Sequence, residues 1–246
     1  MTLWSWLKQL TSPPVFFALA QRLGFWFGLA AIPLLGYGLI GALLLAPPDY
    51  QQGEGYRIIF IHVPAAWMSL FIYSLMAVAG AVTLIWRIKV WESVLTAAAP
   101  IGASLTSLAL LTGMLWGKPM WGTYWVWDAR LTSELVLFFL YAGVMLLHQS
   151  IADARAAARA CALLAIVGFV NVPIVHYSVE WWNTLHQGPT VTKFGKPSMD
   201  ASMLAPLLVM MLGFTSFFGQ VLMRRVQNEL LWRERDTQWV RDLKRG

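Results

Sequence analysis

Residues 116–134 read WGKPMWGTYWVWDARLTSE, and the whole chain is organised around this stretch. It contains four of the chain's tryptophans, which are Trp116, Trp121, Trp125 and Trp127. Gly117, Pro119 and Gly122 lie between them, and glycine and proline both disfavour a regular helix. We therefore predict an irregular loop over about 116–134 that presents a flat, apolar surface to a ligand.

The sequence on both sides of this loop is apolar enough to lie in a membrane. Of the 246 residues, 58% are hydrophobic and only 12% are charged, whereas about 25% of a soluble domain is charged. The chain has 14 tryptophans, a residue that favours membrane–water interfaces. This composition excludes an ordinary soluble enzyme. We expect membrane lipid around the chain, and we do not take the net charge of +6 as a sign of nucleic-acid binding.

Charged residues divide the chain into six uncharged spans. Each meets or nearly meets the roughly 20 residues that a helix needs to cross the hydrocarbon core. The spans are Leu23–Pro48, Ile58–Trp86, Ser93–Gly117, Leu135–Ala152, Ala160–Val179 and Ala201–Met223. Pro100, Pro173 and Pro206 fall inside spans and are expected to kink them. The sequence predicts an all-α, polytopic integral membrane protein with six transmembrane helices, forming a single domain over residues 1–246.

The distribution of basic residues predicts the orientation of this domain. One side holds 13 of the 18 lysines and arginines, seven of them in the tail 224–246. The other side holds the remaining 5, which are Arg57, Lys118, Arg130, Lys193 and Lys196. Because basic residues concentrate in cytoplasmic loops, we expect both termini and the basic tail to be cytoplasmic. In a bacterium with two membranes, the chain would lie in the inner membrane with the tryptophan loop on the periplasmic side.

Two histidines fall on the same side as the tryptophan loop. His62 opens the second span, and His186 lies just beyond the fifth. Neutral imidazoles bind metal ions, or coordinate a haem iron from its two faces. A zinc site normally has four protein ligands, or three and a water, so two histidines beside a large aromatic surface fit a planar metalloporphyrin better. Spacing alone also allows each histidine to be a solvated or hydrogen-bonded residue.

Other polar residues near the outer surface have structural interpretations as well. Asp128 and Arg130 are expected to contact the propionates of a porphyrin, to supply an orienting hydrogen bond, or to form a local salt bridge. Glu134 and Glu180 are expected to be interfacial acids at helix ends. His176 lies four residues before Glu180, so the two can pair on one helical face, and we favour a structural role for it.

Two absent motifs limit the chemistry. There is no C-x-x-C-H sequence, so the chain does not itself carry covalently attached c-type haem. The stretch from Gly113 to Lys118 resembles a Walker A motif only superficially, because its spacing is short and Pro119 replaces Ser or Thr. We therefore expect no ATPase activity. With no nucleophile–base pair visible, holding reactants in position would be the main catalytic contribution.

The sequence WGTYWVWDARLTSE, flanked by HVPAAW and HYSVEWWNTLHQG, resembles the CcmC family. These are the haem exporter proteins C of bacterial cytochrome c maturation, which belong to the tryptophan-rich "WWD" haem-handling proteins. The resemblance covers essentially the whole chain. It implies that haem b is bound non-covalently, with His62 and His186 as axial ligands of the iron. The residues that it implies around the porphyrin are Trp116, Trp121, Gly122, Trp125, Trp127 and Asp128.

The resemblance also implies a set of partners. Proteins of this family present haem for covalent attachment to the membrane-anchored haem chaperone CcmE. They work with the ABC transporter subunits CcmA and CcmB and with the small membrane protein CcmD. ATP hydrolysis in CcmA then frees the loaded chaperone, which agrees with the missing Walker motif in this chain.

Two other functions fit a polytopic membrane protein. A solute-transporter subunit would need polar residues at mid-membrane depth, where only scattered residues such as Asn171 and His176 occur. A structural docking subunit without bound haem would leave His62, His186 and the tryptophan loop unexplained. The absorption spectrum of the purified protein separates these functions, because only bound haem gives a Soret band.

Overall fold

A computed structural model describes residues 11–188 and 198–243, and all the regular secondary structure in this part of the chain is helical. The helices are α1 (Pro13–Ile40), α2 (Ile59–Trp86), α3 (Lys89–Trp121), α4 (Ala129–Ser150), α5 (Ala154–Gly168), α6 (Asn171–Trp181), α7 (Ala201–Arg233) and α8 (Gln238–Leu243). A π-helical turn, Gly41–Leu45, extends α1, and a 3-10 turn, Glu54–Ile58, precedes α2. The all-α prediction is confirmed.

Six helical segments are long and apolar enough to cross a membrane. They are Pro13–Leu45, Glu54–Trp86, Lys89–Trp121, Ala129–Ser150, Ala154–Trp181 and Ala201–Arg233. Each contains most of one predicted span, so the prediction of six transmembrane helices is confirmed. Most segments extend beyond the predicted spans, because a helix continues through charged residues once it reaches the polar interface.

The fifth segment is broken near Pro173. Helix α5 ends at Gly168, and α6 begins at Asn171, with Pro173 as its third residue. Proline lacks the N–H that would donate to the carbonyl of Phe169, and that carbonyl instead accepts from the N–H of Val172 at 3.0 Å. By contrast, α3 and α7 continue through their internal prolines. The break gives the end of the fifth segment a short helix of its own, which leads into the segment carrying His186.

The core lies between α2, α3, α4 and α5, with α7 packed alongside and α1 packed mainly against α7. Tyr73 on α2 and Tyr141 on α4 are its largest fully buried side chains. Their rings meet edge to face with centroids 5.1 Å apart. Many large apolar side chains remain exposed on the outer faces of the helices, which is expected of surfaces that contact lipid.

Contacts between distant residues fix the two ends of the bundle. The side chain of Gln227 on α7 donates to the carbonyl of Phe17 on α1 at 3.2 Å. Arg233 on α7 forms a salt bridge with Glu92 on α3 at 2.8 Å. The start of α1 and the end of α7 therefore share one end, as six crossings require. The α3–α4 connection and the segment after α6 meet at the opposite end. Residues 1–10 and 244–246, which include the last part of the predicted basic tail, lie outside the described residues.

Candidate functional site

The tryptophan stretch is less irregular than predicted. Helix α3 continues through Gly117 and Pro119 and ends at Trp121, and α4 begins at Ala129. The prediction of a loop over the whole of 116–134 is therefore wrong, and the irregular part is confined to Gly122–Asp128. Proline in a helix removes one backbone hydrogen bond, at a cost of about 3 kcal/mol, and α3 tolerates this loss. The helix stops where Gly122 adopts a left-handed conformation with φ 77°, a common helix end for glycine.

A cavity that is partly open to solvent lies at this end of the bundle, between α2, α3, α4 and the segment after α6. The walls are mainly apolar and aromatic. The charged or polar residues in the lining are His62, Arg130, Glu134, His186 and Gln187. Apolar walls with a few convergent polar groups are typical of a site for a large, mainly apolar ligand.

The structure brings four of the eight predicted site residues to this cavity, namely His62, His186, Trp116 and Trp121. The remaining four are absent from its lining, and they are Gly122, Trp125, Trp127 and Asp128. Asp128 caps α4, because its Oδ1 accepts from the N–H of Leu131 at 2.8 Å. Trp127 is 74% exposed. Residues 122–128 therefore form the connection between α3 and α4, and they do not contribute to the cavity wall.

The two cavity histidines lie close together. The ring centroids of His62 and His186 are 6.2 Å apart, with 32° between the ring planes. Metal–imidazole bonds of about 2 Å to each ring place two such centroids roughly 6 Å apart. The two rings are therefore spaced as axial ligands on opposite sides of one metal would be.

Hydrogen bonds set the tautomer of both histidines. His62 Nδ1 lies 3.0 Å from the carbonyl oxygen of Ala109 and 3.0 Å from Oγ1 of Thr112. His186 Nδ1 lies 3.0 Å from the carbonyl oxygen of Gln187. A carbonyl oxygen can only accept, so Nδ1 carries the proton in each ring, and Nε2 keeps its lone pair. This arrangement is typical of histidines that bind a metal through Nε2.

Small residues on α3 make room for His62. A Cβ atom added to Gly113 would lie 3.0 Å from Cε1 of His62, closer than ordinary van der Waals contact. Ala109, which supplies the hydrogen-bonded carbonyl, lies one turn earlier on the same helix. The helix backbone therefore approaches the imidazole closely enough to hold it.

Two tryptophans pack against the two imidazoles. Trp116 meets His62 edge to face, with centroids 5.7 Å apart, and the centroids of Trp121 and His186 are 6.1 Å apart. The Trp116 indole N–H donates to Oε1 of Gln52 at 2.9 Å. Sequence reasoning missed Gln52, because this contact joins residues 64 positions apart, and no local pattern indicates it.

Arg130 and Glu134 lie one turn apart on α4, and both line the cavity. Arg130 Nη1 donates to the carbonyl oxygen of Val175 at 2.6 Å, and no salt bridge between Arg130 and Asp128 occurs in the described part of the chain. Glu134 is only 6% exposed. The prediction that it is an interfacial acid is wrong, since α2 and α4 enclose it.

The protein environment keeps His186 in its metal-binding form. Burial lowers the pKa of His186, and the nearby positive charge of Arg130 lowers it further. The imidazole is therefore neutral at pH 7, and a neutral imidazole is the form that binds metals. His176, by contrast, is exposed on α6 and does not line the cavity. Its ring packs against Tyr177 with centroids 4.6 Å apart.

The chain matches the family model described as "Heme exporter protein C" (CcmC) over residues 6–241. Heme exporter protein C of Escherichia coli strain K12 is 48% identical over 246 residues, which cover 99% of each chain. The protein of the same name from Haemophilus influenzae is 44% identical over 241 residues, 98% of each chain. That from Bradyrhizobium diazoefficiens is 50% identical over 227 residues, 92% of this chain and 86% of the relative. All these matches extend over the parts of the chain that form the cavity.

Proposed function

Because this chain belongs to the haem exporter protein C family, CcmC, we propose that it binds haem b non-covalently between His62 and His186. The observation that carries this proposal is the close approach of the two imidazoles, whose centroids are 6.2 Å apart. Both rings direct their Nδ1 atoms to backbone carbonyls and leave Nε2 for the iron. Two neutral nitrogen ligands on opposite sides suit the axial positions of a haem.

The rest of the cavity suits the porphyrin. Its tetrapyrrole ring is a large apolar disc, and Trp116 and Trp121 provide aromatic walls. Its two propionates are anionic, and Arg130 is a cation in the described lining. A guanidinium has five N–H donors, and one nitrogen of Arg130 is bound to Val175. The remaining donors are available for a carboxylate, with which arginine forms strong hydrogen bonds.

We propose that this cavity lies at the periplasmic face of the bacterial inner membrane and presents haem to the chaperone CcmE for covalent attachment. The ABC transporter subunits CcmA and CcmB and the small protein CcmD would complete the complex. The described lining contains no serine, cysteine or lysine that could act as a nucleophile. The contribution of this chain is therefore to hold and orient the haem while the chaperone reacts.

The direct test is a titration of the purified protein with ferric haem, followed by absorption spectroscopy. Binding between two imidazoles is expected to produce a sharp, shifted Soret band and a low-spin spectrum at one haem per chain. A protein that remains colourless after incubation with haem would contradict the proposal. That result would favour the solute-transporter or docking-subunit function instead.

The orientation has its own test. A reporter enzyme that is active only in the periplasm is expected to work when fused after Gly188. The same reporter fused after Gly246 is expected to be inactive, since the positive-inside rule places the C-terminus in the cytoplasm. The reverse pattern of activities would place the cavity on the cytoplasmic side and rule out loading of a periplasmic chaperone.

The tryptophans are expected to differ in their contribution to haem affinity. Trp121→Ala removes a ring from the cavity wall, and losing such apolar contact costs about 1–3 kcal/mol. Trp127→Ala is expected to cost less, because this ring is 74% exposed and outside the lining. Haem dissociation rates of the purified variants measure the difference. Trp26→Ala, on the exposed face of α1, is the control, and equal losses in all three variants would contradict this assignment.

The pH dependence of haem retention follows from His186. An imidazole whose pKa is lowered by burial stays neutral below the ordinary histidine pKa of about 6.5. Protons therefore compete with the iron only at lower pH, and retention is expected to be constant from about pH 8 to 6.5 and to fall below that range. The Soret band measures retention, and circular dichroism checks that the helices remain folded. Half-loss of haem at or above pH 6.5 with intact helices would contradict the expectation.

A further inference from the structure

A cluster of three arginines lies at the end of the bundle opposite the cavity. Arg87 follows the last residue of α2, and Arg155 and Arg159 lie in the first two turns of α5. All three residues are exposed. The second apolar segment ends at Trp86 and the fifth begins at Ala154, so the cluster lies where both helices leave the membrane.

Packing between α2 and α5 brings these arginines to the same place. Consecutive spans alternate in direction, so the second and fifth segments are antiparallel. The two helices are in close contact, because a Cβ atom added to Gly80 would lie 3.0 Å from the carbonyl oxygen of Ala162. Arg87 follows Gly80 by seven residues, and Arg155 precedes Ala162 by seven. Seven residues are about two helical turns and return to the same face, so Arg87 and Arg155 lie at about the same level, where the helices meet.

No carboxylate neutralises these side chains within residues 11–188 and 198–243. None of the salt bridges there includes Arg87, Arg155 or Arg159. The neighbouring acid is Asp153, whose Oδ1 caps α5 by accepting from the N–H of Ala156 at 2.7 Å. Arg155 and Arg159 are four residues apart on a helix, a spacing at which like charges repel each other. The cluster is therefore complementary to an anion.

The backbone of Arg87 is a second sign that its side chain has a role. Its φ of 55° lies in the left-handed region, and no other non-glycine residue in the described ranges has a positive φ. The N–H of Arg87 closes α2 by donating to the carbonyl of Thr83 at 3.0 Å. Glycine adopts this conformation without strain and is the usual residue at such helix ends. Arginine is costly for the fold here, and strained residues cluster at functional sites.

The surroundings of the cluster identify the anion as part of a lipid. Ile85 and Trp86, directly before Arg87, are exposed. Leu163, one turn after Arg159 on α5, is exposed as well. Apolar side chains next to the arginines on both helices suit acyl chains, and guanidinium groups form strong hydrogen bonds with phosphate. Basic pockets between membrane helices bind the headgroups of anionic lipids.

We propose that Arg87, Arg155 and Arg159 form a binding site for the phosphate of an anionic phospholipid. The phosphate lies among the three guanidinium groups, and the acyl chains lie along α2 and α5. The bound lipid neutralises the cluster and holds the ends of the two helices together. In the proposed orientation, this site lies in the cytoplasmic leaflet.

The test is lipid retention by the purified protein in a non-ionic detergent, measured by native mass spectrometry. Phosphatidylglycerol is the anionic probe, and phosphatidylcholine carries the same phosphate with a balancing cation. Wild type is expected to retain phosphatidylglycerol in preference. Each arginine near a membrane surface raises the affinity for anionic lipid about fivefold, so Arg155→Gln is expected to lower retention by about that factor. Arg235→Gln is the control, because this exposed arginine at the same end pairs with Asp236 at 3.5 Å, and it is expected to have little effect.

Arg87→Gly separates lipid binding from folding. Glycine removes the guanidinium group and also relieves the left-handed backbone. This variant is therefore expected to be at least as stable as wild type in detergent without added lipid. Added phosphatidylglycerol is expected to raise the melting temperature of wild type more than that of Arg87→Gly. Equal increases in the two proteins would overturn the proposal.

Inorganic phosphate distinguishes a lipid headgroup from a free anion. Millimolar phosphate is expected to leave the retention of phosphatidylglycerol unchanged, because it lacks acyl chains. Displacement of the lipid by phosphate would overturn the lipid site and assign the cluster to a free anion. Equal retention of the two lipids by wild type would also overturn it, and the cluster would then fit an acidic protein surface. None of these measurements involves haem, so their failure leaves the proposed function intact.

Discussion

His62→Ala and His186→Ala are each expected to abolish the low-spin, bis-histidine spectrum of bound haem. The ring centroids of the two imidazoles are 6.2 Å apart, so in the proposed haem site removing either imidazole would leave one axial position of the iron open. Mutating a residue that only hydrogen-bonds to a metal ligand typically lowers metal affinity 10–100-fold. Removing a ligand itself is expected to lower haem retention by at least as much. Added imidazole should partly restore the spectrum, because it fits the space that the side chain leaves.

The other two histidines of the chain are the matched controls. His148 lies at the end of α4, 3.6 Å from Glu229 on α7, away from the cavity. His176 is exposed on α6. Alanine at either position is expected to leave the haem spectrum unchanged. If His62→Ala and His186→Ala both keep the wild-type spectrum while His176→Ala loses it, the proposed iron ligands are wrong.

Gly102→Ala is expected to cause a large loss of stability. A Cβ atom at Gly102 would lie 2.1 Å from Cε1 and 2.2 Å from Cζ of Tyr141. This ring has no room to move, because it is fully buried and its hydroxyl donates to the carbonyl of Ser69. Overpacking a core typically costs about 1–3 kcal/mol, and a clash this close should reach or exceed that range. Thermal unfolding of the purified protein in detergent measures the effect.

Gly36→Ala makes the same change where there is space. Nothing lies within 4 Å of a Cβ atom at Gly36 on α1, and alanine favours a helix by about 1 kcal/mol over glycine. This variant is expected to be as stable as wild type or slightly more stable. Equal melting temperatures for the two variants would show that α3 and Tyr141 are less tightly packed than the structure indicates.

The transmembrane fold could be predicted because it depends on few properties of the sequence. An uncharged span of about 20 residues has essentially one way to cross hydrocarbon, which is as a helix. Local breaks were harder to predict, since proline had different outcomes at different positions. Helix α3 continues through Pro119, whereas the fifth segment breaks near Pro173. The presence of a proline therefore does not by itself decide whether a helix continues.

The site could be predicted in part for a similar reason. Four predicted spans, the second to the fifth, lie between His62 and His186. Because an even number of crossings returns the chain to the same side of the membrane, the sequence predicted that both histidines lie on one side. Their hydrogen bonds, the role of Gln52 and the burial of Glu134 depend on tertiary contacts. The hydrogen bond between Gln52 and Trp116 joins residues 64 positions apart, and that between Glu134 and Ser69 joins residues 65 positions apart. No local pattern in the sequence encodes such distances.

The two cavity histidines are anchored in different ways. His62 is held by the carbonyl of a residue on another helix, Ala109. The hydrogen bonds of His186 in the described structure are to its immediate neighbours Thr184 and Gln187. Segments held by local contacts open at lower free energy than packed helices do. In the proposed haem site, we therefore expect the His186 segment to move more readily than the helix that carries His62.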